Sequence, residues 1–234
     1  MTTLRLPDGS AVGVSLRRSA RARRILLQVD AHSGMVELVL PRRAAVEDGV
    51  EFARSKAGWL QSRLKEIPPR VPFRDGSRVP YLGAPIRIRH VRELFDDVWR
   101  DKDTLVVAGE EMRVAGQVEG WLRTEAASAI AQRTGEKAAR LGARYRRIAV
   151  RDPRTRWGSC SPRGDLSFSW RLVMAPERVL DYVVAHEVAH LEVLNHSRRF
   201  WSIVDRICED REASRRWLRA NGASLHRYGP ASHG

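Results

Sequence analysis

Hydrophobic and polar positions alternate along the first forty residues, and this alternation predicts β-strands because successive side chains of a strand point to opposite faces. The predicted strands are 11–16, 24–29 and 35–40. Over 44–65 the apolar positions recur at helical spacing instead, and a proline-rich segment at 68–72 ends this helix. The N-terminal third is therefore expected to form a small sheet with one helix.

The rest of the chain continues the mixture of strands and helices. Strands are predicted at 79–82, 86–90, 104–107, 146–150 and 166–172. Helices are predicted at 112–141, 176–194, 198–208 and 212–221. The first of these helices is expected to end at Gly142 in a left-handed cap. We therefore expect an α+β fold, with a β-rich N-terminal lobe over 1–110, a second lobe over 111–228 and a loose tail at 229–234.

The charge balance of the chain is strongly basic. Lys and Arg number 42 against 28 Asp and Glu, which gives a net charge of +14 in 234 residues. Such a surface attracts phosphates, nucleic acid or acidic peptides, and a weak nucleic-acid contact is one interpretation. A general preference for arginine explains the same excess, so charge alone does not identify a partner. The hydrophobic content of 43% is that of a globular protein and excludes wholesale disorder.

Cysteine content and apolar runs bear on the compartment. The two cysteines are too few for a disulfide framework. The first residues lack the apolar stretch of a signal peptide, and no apolar run approaches the roughly 18 residues of a membrane span. The sequence therefore predicts a cytoplasmic protein without a membrane contact.

The segment with the clearest chemistry is H-E-x-x-H, which lies within a predicted helix. Histidines four positions apart share one helix face, so His186 and His190 can reach one metal ion. Glu187 is rotated by about 100° from His186, which places it beside a metal-bound water rather than among the ligands. His196 follows six residues after His190. Three neutral imidazoles with an open position describe a catalytic zinc site, with one zinc per chain.

Other interpretations of the motif remain in view. One is a pair of hydrogen-bonded core histidines. Composition alone would seldom produce an H-E-x-x-H motif followed by a third histidine at a metal-compatible spacing, and this favours a metal site over that interpretation. A metzincin is another, yet Val193 stands where that class has glycine, and all four methionines precede the helix. Asn195 is expected to supply a left-handed turn before His196, because asparagine tolerates positive φ. Cys160 is either a fourth ligand or, more commonly for such a cysteine, an inert thiol.

Three longer motifs include or precede this segment. They are R-x-R-W-G-S-C-S at 154–161, L-x-F-x-W-R-L at 166–172 and H-E-x-A-H-L-x-x-x-N-H-S-x-x-F-W at 186–201. In these motifs, and over most of its length, the chain resembles the YgjP-like metallopeptidase family of bacterial proteins. That family is similar in its catalytic core to minigluzincin and SprT-like zinc metallopeptidases. The resemblance implies a zincin-like second lobe, with a small sheet and an active-site helix, and a zinc ion held by His186, His190 and His196.

Candidates for substrate contact lie on both sides of this helix in the sequence. Arg154 or Arg156 is suited to clamp a substrate carboxylate or phosphate with its planar guanidinium, although arginine stems also cover apolar surface. The strand at 166–172 is a candidate edge for pairing with an extended peptide. Tyr228, with His226, is a candidate donor to a developing oxyanion, and a place in a surface tail is the alternative.

The expected activity is that of a zinc-dependent hydrolase, foremost a metallopeptidase that cleaves peptides or proteins with a zinc-activated water and Glu187 as general base. One alternative is a nucleoside triphosphate pyrophosphohydrolase, in which the arginine-rich hairpin neutralises phosphate. Another is a DNA-associated SprT-like protease or binding module. Peptide cleavage requires a groove along a sheet edge, nucleotide hydrolysis requires converging arginines in a small pocket, and DNA binding requires a continuous basic stripe.

Overall fold

The computed structural model describes residues 2–30, 34–67, 69–93, 95–153 and 155–229. Within these residues the chain is a mixed α+β fold with several small sheets and six α-helices, which confirms the predicted class. Arg154 and residues 230–234 of the predicted tail lie outside the described residues. In the described part of the chain, every helix is too short or too polar to cross a membrane.

Helices and strands are numbered here in chain order. The helices are α1 (Val46–Ser55), α2 (Ala57–Lys65), α3 (Val114–Leu141), α4 (Glu177–Ala189), α5 (Arg198–Ile207) and α6 (Arg211–Asn221). Short 3₁₀ segments occupy Glu111–Arg113, Trp170–Met174 and Gly222–Arg227. The strands are β1 (Thr2–Arg5), β2 (Ala11–Ser19), β3 (Leu26–Val29), β4 (Val36–Pro41), β5 (Val71–Pro72), β6 (Arg78–Tyr81), β7 (Ala84–Val91), β8 (Asp97–Asp101), β9 (Thr104–Ala108), β10 (Arg147–Arg151), β11 (Gly158–Cys160), β12 (Asp165–Ser169) and β13 (Tyr228–Gly229).

The chain divides into two compact units, residues 1–69 and 70–234. Strands β6 to β9 consequently belong to the same unit as the H-E-x-x-H segment. The sequence-based lobes, 1–110 and 111–228, stay a prediction, and their boundary falls inside the second unit, between β9 and α3.

The first unit is a four-stranded sheet covered by two helices. Its strand order is β1-β2-β4-β3, with β2 and β4 parallel and the two outer pairs antiparallel. Leu38, Ala53 and Leu60 are among the apolar side chains that form its core. The single helix predicted over 44–65 is wrong, because the chain leaves α-helical geometry at Lys56 (φ −102°, ψ 9°). The apolar spacing continues across this break, so periodicity alone does not reveal it.

The second unit begins with a sheet of the same strand order. Strands β6-β7-β9-β8 repeat the arrangement of β1-β2-β4-β3, again with a parallel pair in the middle. Helix α3 follows and packs against this sheet and the 3₁₀ segment Trp170–Met174. Val118, Leu122 and Ile130 form part of its buried face. The helix ends at Gly142 with φ 67°, which confirms the predicted left-handed cap.

A three-stranded sheet includes strands from the first two sequence motifs, those at 154–161 and 166–172. Its order is β10-β12-β11, with β12 parallel to β10 and antiparallel to β11. The strand predicted at 166–172 is therefore central, and the prediction that it offers a free edge is wrong. It also ends at Ser169 and continues as a 3₁₀ segment. The edge beside it is β11, whose short, glycine- and serine-rich sequence predicts a turn rather than a strand.

Helix α4 carries His186, is directly followed by His190, and packs against α3, α6 and β11. It ends at Ala189, earlier than the predicted end at residue 194. The backbone N–H groups of Leu191 and Glu192 bond to carbonyls three residues back instead of four, so the last turn tightens and the helix stops.

Arg171 fixes the end of the described chain. This buried guanidinium makes two hydrogen bonds to the Asp152 carboxylate, at 2.7 and 3.0 Å. It also donates to the carbonyl oxygens of Leu225 and Tyr228, at 3.1 and 2.7 Å. Tyr228 and Gly229 form β13, which pairs in parallel with β5. The segment that contains Tyr228 is thus held by a strand pair and by a buried cation.

Candidate metal centre

Three histidines converge at the end of α4. Each offers one ring nitrogen, and these atoms all lie within 4.8 Å of one another. The ring centroids form a nearly equilateral triangle, with sides of 4.9, 5.0 and 4.9 Å. His186 belongs to α4, His190 directly follows it, and His196 comes from the loop before α5. The fold thus brings together the three residues that the sequence predicts as ligands.

Side-chain hydrogen bonds shape the loop that carries His196. The Asn195 Oδ1 atom accepts from the Ser197 N–H at 3.3 Å. The Ser197 hydroxyl in turn accepts a backbone N–H three residues on, at 3.4 Å, and so caps the start of α5. The prediction of a left-handed conformation at Asn195 is wrong, because Asn195 is not among the described non-glycine residues that have a positive φ. Its side chain closes an Asx-type turn instead.

An aromatic platform supports the three imidazoles. The Phe200 ring centroid lies 4.9, 4.4 and 4.8 Å from those of His186, His190 and His196. The Trp201 ring stacks on His196 at 5.7 Å, with the two planes 26° apart. Phe200 is fully buried, so its contacts restrict the rotamers of all three rings. Both aromatic residues stand in the third motif, but no role for them followed from the sequence.

Two of the ring nitrogens lie at the spacing expected of two ligands on one zinc ion. His186 Nε2 and His196 Nε2 are 3.1 Å apart. Two ligands that each lie about 2.0–2.1 Å from a tetrahedral ion are roughly 3.3 Å apart, so this spacing is close to that of two ligands on one ion. His190 Nδ1 donates to the Val193 carbonyl at 3.0 Å, which leaves its Nε2 lone pair for a metal. The donor set therefore fits zinc.

Burial keeps two of these imidazoles neutral. Burial, with smaller contributions from His190, His196 and Arg215, lowers the pKa of His186 to about 4. Burial also lowers the pKa of His190 below its ordinary value. Only the neutral ring offers a lone pair, so a lowered pKa favours metal binding. Protons therefore compete with a metal ion for these two rings only at a pH below the one at which a free imidazole becomes protonated.

Metal affinity should therefore change little between about pH 8 and the free imidazole pKa of about 6.5, and should fall at lower pH. A competition titration with a chromophoric chelator at several pH values measures this profile. Calorimetry in buffers of different ionisation enthalpy gives the protons released per ion. Near pH 6 we expect clearly fewer than three protons to be released per ion, since His186 and His190 are already neutral. A steep loss of affinity that begins above pH 7 would contradict this expectation.

Glu187 is buried, with only 6% of its surface exposed. Its side chain packs against the backbone of Gly158 in β11. Burial raises the pKa of Glu187 to about 7, and the exposed guanidinium of Arg156 opposes this rise. A carboxyl group with a pKa near 7 can both accept and return a proton at neutral pH, as a general base in hydrolysis must.

Gly158 is a glycine for reasons of space. Its φ lies outside the positive region, so its backbone conformation does not require glycine. A Cβ atom at this position would lie 2.6 Å from both Cγ and Oε1 of Glu187. The first and third motifs therefore meet at this contact, and the position of the carboxylate depends on both.

Gly158→Ala should lower turnover at least about tenfold without loss of metal, because the three atoms nearest to the added methyl group all belong to Glu187, which is not a member of the histidine cluster. Turnover and metal content are to be measured on the same preparation. Gly120→Ala is the matched control, since a Cβ at this α3 position meets nothing within 4 Å. A Gly158→Ala protein as active as the parent would show that the contact does not position the carboxylate.

Cys160 lies outside the histidine cluster. Burial, followed by the negative charges of Glu187 and Asp165, raises the pKa of its thiol to about 11. A thiol must lose its proton to bind a metal, so this environment favours an inert thiol over a fourth ligand.

The arginine candidates occupy different places. Arg156 is exposed and close enough to Glu187 to act on its pKa. Arg154 lies outside the described residues. Arg147 and Arg151 were not singled out in the sequence, but with Arg156 they line a pocket of about 360 Å³ on the polar face of the β10-β12-β11 sheet. Their alternation with apolar residues along β10 is the signal that could have found them.

His226 and Tyr228 are built into the fold. His226 is buried, with its ring 5.4 Å from that of Trp157. Within the part of the chain that the structure describes, no hydrogen bond or ring contact joins Tyr228 to the three histidines. The role of Tyr228 as an oxyanion donor stays a prediction.

Comparison with known proteins gives one match. A family model described as a YgjP-like metallopeptidase domain matches residues 23–221, which is most of the chain and includes all three motifs. No curated protein and no solved structure matches significantly.

Proposed function

The chain belongs to the YgjP-like metallopeptidase family, and from this membership we propose that it is a zinc-dependent peptidase with Glu187 as its general base. One observation carries the proposal: three imidazoles converge, and the residue that directly follows the first of them on α4 is a buried carboxylate, Glu187. A structural histidine pair needs neither the third ring nor the adjacent buried acid.

His186, His190 and His196 would hold the zinc ion through their ring nitrogens. Bound zinc supplies Lewis acidity, which lowers the pKa of a coordinated water and polarises a carbonyl. Phe200 supports all three rings, so the ligands are held in place before the metal arrives.

Glu187 would move the proton. Its carboxylate takes a proton from the attacking water and later returns it to the leaving amine. The raised pKa suits both steps, since a carboxyl group with an ordinary pKa would hold the proton too weakly to accept it at neutral pH. Contact with Gly158 keeps the carboxylate in one place between the two steps.

Strand β11 would align a peptide substrate. It stands at the edge of its sheet, so one side of its backbone has no strand partner among the described residues. An extended peptide that pairs with Gly158–Cys160 would run past Glu187, because Gly158 touches that side chain. The β11 edge, and not the strand at 166–172, would therefore be the place where an extended peptide pairs.

One observation favours the nucleotide alternative. Arg147, Arg151 and Arg156 line one small pocket together with Ser159 and Ser167. Guanidinium and hydroxyl groups are suitable donors to phosphate oxygens. A metal-dependent nucleoside triphosphate pyrophosphohydrolase is therefore the second candidate function.

A parallel assay separates the two candidates. Zinc-loaded full-length protein is incubated with a proteome-derived peptide library and, separately, with nucleoside triphosphates. The peptidase proposal predicts new peptide termini by mass spectrometry that vanish on chelation and return with added zinc. Pyrophosphate release without any new peptide terminus would overturn it in favour of the alternative. Absence of both products would overturn the hydrolase assignment.

A further inference from the structure

An apolar groove in the first unit lies far along the chain from the metal centre. It has a volume of about 690 Å³ and lies between the edge strand β3 and the helices α1 and α2. Ile25 and Leu27 line it from the strand side, and Phe52 and Trp59 line it from the helices. Trp59 is 48% exposed, which is a large apolar surface to leave in water.

The strand beside this groove has an open backbone edge. β3 pairs with β4 on one side and has no strand neighbour on the other among the described residues. Its sequence, L-L-Q-V, contains neither a charged residue nor a proline. Charged residues and prolines usually protect an exposed edge from pairing with another strand. Such an edge can accept an additional strand.

Two cations stand at the rim of the groove. Arg24 and Lys56 both line it and are exposed, and neither makes an ion pair with another described residue. The Lys56 ammonium lies 6.0 Å from the centroid of the Phe52 ring. The rim is therefore positively charged, whereas the floor is apolar.

We propose that this groove binds an extended segment of a partner polypeptide, which pairs with β3 as a fifth strand and carries apolar side chains at alternate positions with acidic side chains between them. In an added strand, every second side chain points to the helix side of the sheet, where Phe52 and Trp59 provide apolar contact. The intervening side chains point to the opposite face, so their acidic groups would lie near Arg24, whereas Lys56 would attract the acidic segment through space from the helix side. A nucleic acid would satisfy the two cations but not the apolar floor.

Fluorescence anisotropy with defined peptides tests the proposal on the full-length protein. The probe is a fluorescein-labelled ten-residue peptide in which valine or leucine alternates with glutamate. We expect saturable binding that weakens as salt is raised. The same peptide with lysine in place of glutamate should bind at least about tenfold more weakly. Methylation of alternate backbone nitrogens should abolish binding in one of the two possible patterns, because only every second N–H faces β3.

Two variants locate the site. Trp59→Ala should weaken binding of the acidic probe at least about tenfold, since a half-exposed tryptophan in a groove is a typical energetic anchor. Lys56→Glu should weaken it several-fold without a change in the apolar floor, and it tests the site even if Trp59→Ala fails to fold. Trp99→Ala and Lys65→Glu are the controls, because both residues are exposed and neither lines the groove. Circular dichroism checks the fold of each variant.

Several results would overturn the proposal. Equal affinity of the parent, Trp59→Ala and Lys56→Glu for the probe would place binding elsewhere. Equal affinity for the acidic and basic peptides would refute the claim that the partner segment is acidic. No binding at millimolar protein would refute the claim that the groove binds an extended peptide. Concentration-dependent dimerisation that Trp59→Ala abolishes would assign the groove to a second copy of the chain instead.

Discussion

Glu187→Gln should leave the protein folded and loaded with metal while it lowers peptide turnover by about 10²–10⁴-fold. Glutamine has nearly the same size as glutamate and keeps a hydrogen-bonding oxygen, but it cannot accept a proton at neutral pH. Glu187 is not a member of the histidine cluster, so metal content should not fall. Metal content, unfolding temperature and turnover are measured on one preparation of each protein.

Glu192→Gln provides the matched control for this substitution. Glu192 is exposed in the turn after α4, so the change removes the same charge close to the cluster but away from β11. We expect this variant to keep the activity of the parent. A Glu187→Gln protein that retains its metal and works at the parent's rate would show that Glu187 is not the base.

His186→Ala should reduce bound zinc from about one ion per chain to nearly none, and activity should disappear with it. The remaining two imidazoles give too few ligands for tight binding of zinc at neutral pH. Because a ligand that binds only the folded state stabilises it, added zinc should raise the unfolding temperature of the parent but not of the variant. Elemental analysis after removal of any affinity tag and a thermal melt with and without zinc measure both effects.

His90→Gln is the control for the metal measurement. His90 lies outside the histidine cluster, and its ring bonds to the Gly109 carbonyl at 2.9 Å. Its replacement should leave zinc content unchanged. Full zinc occupancy in His186→Ala would refute the assignment of the ligands.

Elements with a strong local pattern were predictable from the sequence. Helix α3 runs from residue 114 to 141, against a prediction of 112–141, and its glycine cap is where the sequence places it. Helices α5 and α6 also begin and end within one residue of their predicted bounds. In each case the apolar period and the terminal residues carry the information locally.

Strand β11 was not predictable in the same way. Three residues, Gly-Ser-Cys, have no measurable period and a composition typical of turns. They form a strand because β12 offers them a partner, with Gly158 opposite Phe168 and Cys160 opposite Leu166. The edge of the sheet beside Glu187 is therefore a product of tertiary structure.

The candidate site, too, was predictable from the sequence only in part. The spacing of His186 and His190 within one helix predicts that they share a face, and the family motif adds His196. The contact between Gly158 and Glu187 joins segments about thirty residues apart, so no local pattern indicates it. The platform under the three rings likewise depends on how α5 packs against α4.

Anomalous diffraction at the zinc edge, from crystals of the zinc-loaded protein, tests the central claim most directly. The account predicts one strong peak per chain, bonded at about 2.0–2.1 Å to one ring nitrogen each of His186, His190 and His196. It also predicts that the Glu187 carboxylate lies beside the ion without binding it. A peak at any other cluster of residues, or an ion that counts Glu187 among its ligands, would contradict the account.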